Sequence, residues 1–84
     1  MSFTVVRKPA AEAMLARIWN AARDRNGVTR AANQIDAVLK RNPRAVGEAR
    51  SGSKRDYFVA PLAVHYEVVE MDRIVRVPKV WRID

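Results

Sequence analysis

The period of the apolar residues changes once along this chain, close to Pro43. Ahead of it, Ala11, Leu15, Ile18, Trp19 and Ala22 recur at i, i+4, i+7, i+8 and i+11, with Glu12, Arg17, Asn20 and Asp24 on the other side. That is the spacing of an amphipathic helix. Ala32, Ile35, Val38 and Leu39 repeat the stripe opposite Arg30, Asn33, Asp36 and Lys40. Well behind Pro43, β-branched and aromatic residues alternate with polar ones, as a half-buried strand requires. A chain ordered in this way buries its apolar residues by laying helices on a sheet.

Local signals divide it further. Residues 3–7 read as a short first strand closed by Lys8-Pro9, and Pro9 suits a first helical turn, where its missing N–H costs nothing. Asn26-Gly27 is expected to stop the first helix, and Thr29 to cap the second, which ends at Asn42-Pro43. So short a connection makes the pair an antiparallel hairpin. Residues 43–54, punctuated by Gly47, Ser51, Gly52 and Ser53, are expected to be irregular. Strands are expected at 56–60, 62–69 and 74–81. The order β-α-α-β-β-β indicates an α+β fold in one domain over residues 1–84, an antiparallel sheet with the α-helical hairpin packed on one face.

The last hairpin fixes its own register. Turning at 70–73 sets Glu67 against Arg76, Val68 against Val75, Tyr66 against Val77 and Leu62 against Trp81. Leu62, Val64, Tyr66, Val68, Val75 and Val77 then face the helices, while Ala63, His65, Glu67 and Arg76 share the open face. Trp19 and Trp81 are both expected in the core. Pro78 cannot donate to a ladder, so a bend or an unpaired edge is expected there.

Composition narrows the chemistry. The 84 residues hold no Cys and one His, which removes disulfides, zinc–thiolate sites and cysteine nucleophiles, and no metal or cofactor is expected. No apolar run nears about 18 residues, so no membrane partner is expected. Arg7 and Lys8 interrupt the N-terminal apolar stretch too early for a signal peptide, and a cytoplasmic location follows as an expectation. Sixteen Lys and Arg against nine Asp and Glu leave a formal charge of +7, which suits a polyanionic or acidic partner. The basic residues Lys40, Arg41, Arg44, Arg50, Lys54 and Arg55, with Arg82 near the end, are candidates for binding nucleic acid or an acidic protein segment. Histidine is the residue type whose ordinary pKa lies near neutrality, so His65 is the candidate base. Glu67, two residues on, would orient it, and Arg76 or Arg55 would hold a phosphate.

Specific motifs join these elements. Trp19-Asn20-Ala21-Ala22, Ala31-Ala32-Asn33-Gln34-Ile35 and Leu39-Lys40-Arg41-Asn42-Pro43, with Gly47, resemble the helical half of the RelE/ParE superfamily. The run from Pro61 to Val68, followed by Arg73-Ile74-Val75-Arg76-Val77, is similar to its hairpin of aromatic and valine-rich strands. The resemblance implies the toxin of a bacterial type II toxin–antitoxin pair, held inactive by an antitoxin protein. Two targets are implied: messenger RNA on the ribosome, cleaved by the RelE branch, or DNA gyrase, poisoned without nuclease chemistry by the ParE branch. Ribonucleolytic members carry an arginine in the middle of the penultimate strand, plus an Arg or His and a Tyr in a tail. Here the strand position is Ala63, and only Arg82 stands near the tail. These departures place a ParE-like gyrase poison slightly ahead of a ribosome-dependent endoribonuclease. A third reading is a family member that keeps the fold without toxicity.

Overall fold

A computed structural model describes residues 2–83. Its elements run β1 (Thr4–Arg7), α1 (Pro9–Ala21), α2 (Arg25–Arg41), β2 (Glu48–Ser51), β3 (Lys54–Val59), β4 (Leu62–Val69) and β5 (Ile74–Arg82). The strands form one sheet in the order β1-β5-β4-β3-β2, with the helices packed on one face. After the helical hairpin, four successive antiparallel strands carry the chain back to β1. β5 arrives parallel to β1, so the sheet is mixed where an antiparallel one was expected. The expected α+β architecture holds, with one strand more. That strand, β2, lies inside the stretch expected to be irregular. Its four residues are all exposed, so it carries no alternation for a pattern to reveal.

The core lies where the parity of β4 placed it. Leu62, Val64, Tyr66, Val68, Val75 and Val77 are buried against Ala11, Ile18, Val28, Ala31, Ile35 and Leu39 of the helices. Arg7 clamps the edge: its guanidinium bonds Glu12 of α1 and, at 2.8 and 2.9 Å, both carboxylate oxygens of Asp36 on α2. Burial opposes its charge, but the two carboxylates outweigh that and raise its pKa.

The helix connection differs from expectation. Asp24, not Thr29, caps α2, its carboxylate accepting the Gly27 N–H at 2.9 Å, so Asn26-Gly27 lies inside the first turn. Arg25 takes the last carbonyls of α1, at Trp19 and Asn20. Trp19 is 40% exposed rather than core, its indole N–H donating to Thr29 Oγ1 and Arg25 lying 4.8 Å over its ring.

Two bulges interrupt the ladders. In β5 the offset changes between the pairs His65–Lys79 and Glu67–Arg76, so Val77 and Pro78 together oppose Tyr66. The expected pairs Glu67–Arg76 and Val68–Val75 stand, but Leu62 meets Arg82, and Trp81 meets Ala63. β1 pairs only as far as Val77, so the interruption falls where Pro78 denies the ladder a donor. In β2 the extra residue is Arg50, between the pairs Ala49–Arg55 and Ser51–Lys54. A bulge of this kind re-aims the side chains beyond it.

The register carries a stability contrast. Val68 is buried and Val69 is half-buried on the opposite face. Val68→Ala is expected to cost about 1–4 kcal/mol, since it loses transfer energy and opens a cavity, and Val69→Ala distinctly less. Equal losses in chemical denaturation would contradict this parity.

Candidate functional site

The face of the sheet away from the helices is built in rows. Residues paired across strands share a face, so Asp56, His65 and Lys79 form one row over β3, β4 and β5. Phe58, Ala63 and Trp81 form the next, and Lys54, Glu67 and Arg76 the one on the other side. Successive rows lie two residues apart, about 7 Å along a strand.

The central row holds a histidine–carboxylate pair. His65 Nδ1 lies 2.6 Å from Asp56 Oδ1. Arg50, delivered by the β2 bulge, donates to Asp56 Oδ2 at 2.8 Å and also pairs with Glu48 at 3.3 Å. Burial alone would push the Asp56 carboxyl up. Hydrogen bonds from His65 and Arg50 outweigh it and hold the group below the ordinary carboxylate range. The same carboxylate raises the Arg50 pKa. An ionised carboxylate only accepts hydrogen bonds, so Nδ1 carries the proton toward Asp56. With Nδ1 so engaged, Nε2 is the ring nitrogen left to exchange a proton, and it has no partner among the described residues.

His65 lines a groove of about 520 Å³ together with Ala10 and Met14 of α1, Asp56, Lys79 and Trp81. Lys79 is exposed and makes no ion pair among the described residues. Chemically, this is an oriented base with a cation one strand away. No set of three or more His, Cys, Asp or Glu side chains among the described residues is placed to hold a metal ion.

Glu67 does not orient His65, as the spacing along β4 suggested. It pairs with Arg76 at 3.8 Å and accepts from Ser53 Oγ. The partner is Asp56, set opposite His65 by the β3–β4 register. A register for β3, worked out as it was for the last hairpin, would have found it.

The basic residues divide among separate places. Arg50 and Lys54 lie on the β2–β3 side of the sheet, and Arg76 shares the Lys54 row. Arg55 is on the opposite face from His65: paired with Tyr66, it donates to the carbonyls of Val46 and Gly47. It cannot share a phosphate with His65, because the sheet stands between them. Lys40 and Arg41 end α2; Arg41 and Arg44 line a cleft with Phe3 and Arg73, and Arg44 is bound to Glu70 at 2.8 Å. Arg82 sits at the far end of β5, in a cleft with Arg23 and Asp24. Trp81, expected in the core, stands on the open face with its ring 6.3 Å from that of Phe58. The bulge at Val77-Pro78 reversed its parity and buried Val80 instead.

No family model matches the chain, nor does any curated protein. Solved structures do. A chain of the toxin–antitoxin complex RelBE2 from Mycobacterium tuberculosis superposes with a TM-score of 0.78 at 17% identity, over 99% of this chain and 100% of that one. A chain of the chromosomal ParDE system of P. aeruginosa gives 0.73 at 11% identity, over 98% and 97%. The isolated E. coli RelE toxin gives 0.68 at 14%, over 98% of this chain and 85% of its own.

Proposed function

We propose that this chain, which has the fold of the RelE and ParE toxins, is the growth-inhibiting component of a type II toxin–antitoxin pair. Its antitoxin is a protein with an acidic segment, matched to the formal charge of +7. The similarity to known complexes spans nearly the whole chain, which supports a partner of this kind.

For the target, RNA cleavage is the reading the geometry supports best, and the His65–Asp56 pair carries it. Nε2 of His65 takes the proton of a ribose 2′-OH. The 2′-oxygen bonds to phosphorus, and the bond to the 5′-oxygen breaks, that oxygen taking a proton from water. Lys79 holds the phosphate charge from the neighbouring strand. Ala63 favours a second reading, since it stands where the resemblance calls for an arginine, although β4 places it near the start of the strand and not in its middle. In that reading the protein binds gyrase and cuts nothing.

The pair itself is testable before the target. Induced alone, the chain is expected to arrest growth; co-expressed with the product of an adjacent short reading frame, it is expected to be tolerated. Unimpeded growth with soluble, folded protein would contradict a toxin role.

A further inference from the structure

We propose that the corner made by Phe58 and Trp81 on the open face is a base-stacking subsite for single-stranded RNA, one row from His65. It deepens the nuclease reading and rests on it. Phe58 is 39% exposed and Trp81 half-buried, so both aromatic residues keep solvent contact on the open face, beside the groove that Ala10 and Met14 of α1 border. Their planes meet at 85°, an edge-to-face pair rather than a stack. A planar base can lie on one ring and abut the other.

Ala63 pairs with both residues and is fully buried, so the contact surface is offered by the two rings and not by the strand between them. The row spacing of about 7 Å sets the base one row from His65 and Lys79, within reach of the same nucleotide's ribose and phosphate. Lys54 and Arg76 lie one row further, where the next phosphate of an extended strand would run. An aromatic row, a base and cations in this order suit a single strand, whose bases are free to unstack.

The test is an NMR titration of the whole chain with a short single-stranded RNA, 2′-O-methylated to prevent cleavage. The indole N–H signals of Trp81 and Trp19 are followed separately. The Trp81 signal is expected to move saturably, with Trp19 unmoved and a duplex of the same sequence far weaker. Trp81→Ala is expected to weaken binding by about 5- to 150-fold, the usual range for one stacked base, and Trp81→Phe to retain most of it. Phe58→Ala gives an independent variant should Trp81→Ala fold poorly. An unmoved Trp81 signal would overturn the subsite, as would movement at Trp19 instead or movement with an acidic protein partner but not with RNA. Stacking at Trp81 without RNA cleavage by the wild type would remove the nuclease reading and leave the subsite standing. Cleavage that Trp81→Ala neither weakens nor slows would do the reverse.

Discussion

Gly47→Ala is expected to lower the unfolding free energy by about 2–4 kcal/mol, a large share of the 5–15 kcal/mol typical of such domains. Gly47 has φ +76°, a conformation that costs an L-residue about 1–2 kcal/mol. A Cβ there would also stand 2.6 Å from the Asp56 carbonyl oxygen and 3.0 Å from the Tyr66 hydroxyl. Neither can yield freely. Tyr66 is fully buried with its hydroxyl 2.6 Å from Pro43 O and 3.1 Å from Val46 O, its single proton donated to the nearer carbonyl or shared between them, and burial raises the pKa of that hydroxyl. Arg55 holds the Val46 and Gly47 carbonyls from the other side. Gly52 is the control. Its φ is +58° but a Cβ there meets nothing within 4 Å, so Gly52→Ala should cost about 1–2 kcal/mol, from backbone strain alone. Equal losses in urea denaturation would mean that the 43–47 loop is not packed as described.

His65→Ala is expected to slow RNA cleavage by about 10²-fold or more, the usual worth of a positioned base. Asp56→Asn should slow it as well, because an amide still touches the ring but no longer fixes its tautomer or its charge. Arg55→Ala makes the contrast. It removes the hydrogen bonds to Val46 and Gly47 beneath the sheet, so it should cost stability and leave the rate per folded molecule close to wild type. A large rate effect at Arg55 with none at His65 would place the chemistry on the wrong face.

The two bulges mark the boundary of what the sequence reveals. The helices, β4, the Glu67–Arg76 and Val68–Val75 pairs and the buried face of the sheet all follow from periodicity, because each has one apolar and one polar side. Pro78 signalled an interruption, but the extra residue it introduces cannot be read as a change of parity without knowing the partner strand. Unbroken parity therefore places Trp81 in the core, whereas it stands on the open face. Arg50 is the same case in β2, an exposed edge strand whose four residues have no apolar side. Helix capping failed for a different reason: Asp24 and Thr29 are both good caps, and the choice depends on how tightly the hairpin closes. The candidate base was legible from composition. Its carboxylate partner lies across a strand pairing and was not.

The most direct measurement follows messenger RNA integrity and DNA supercoiling in the same cells after induction without antitoxin. Rapid transcript cleavage by the wild type is expected, with its loss in His65→Ala and unchanged supercoiling in both. Intact transcripts with altered supercoiling, unaffected by His65→Ala, would contradict the nuclease reading and make the protein a gyrase-directed binder.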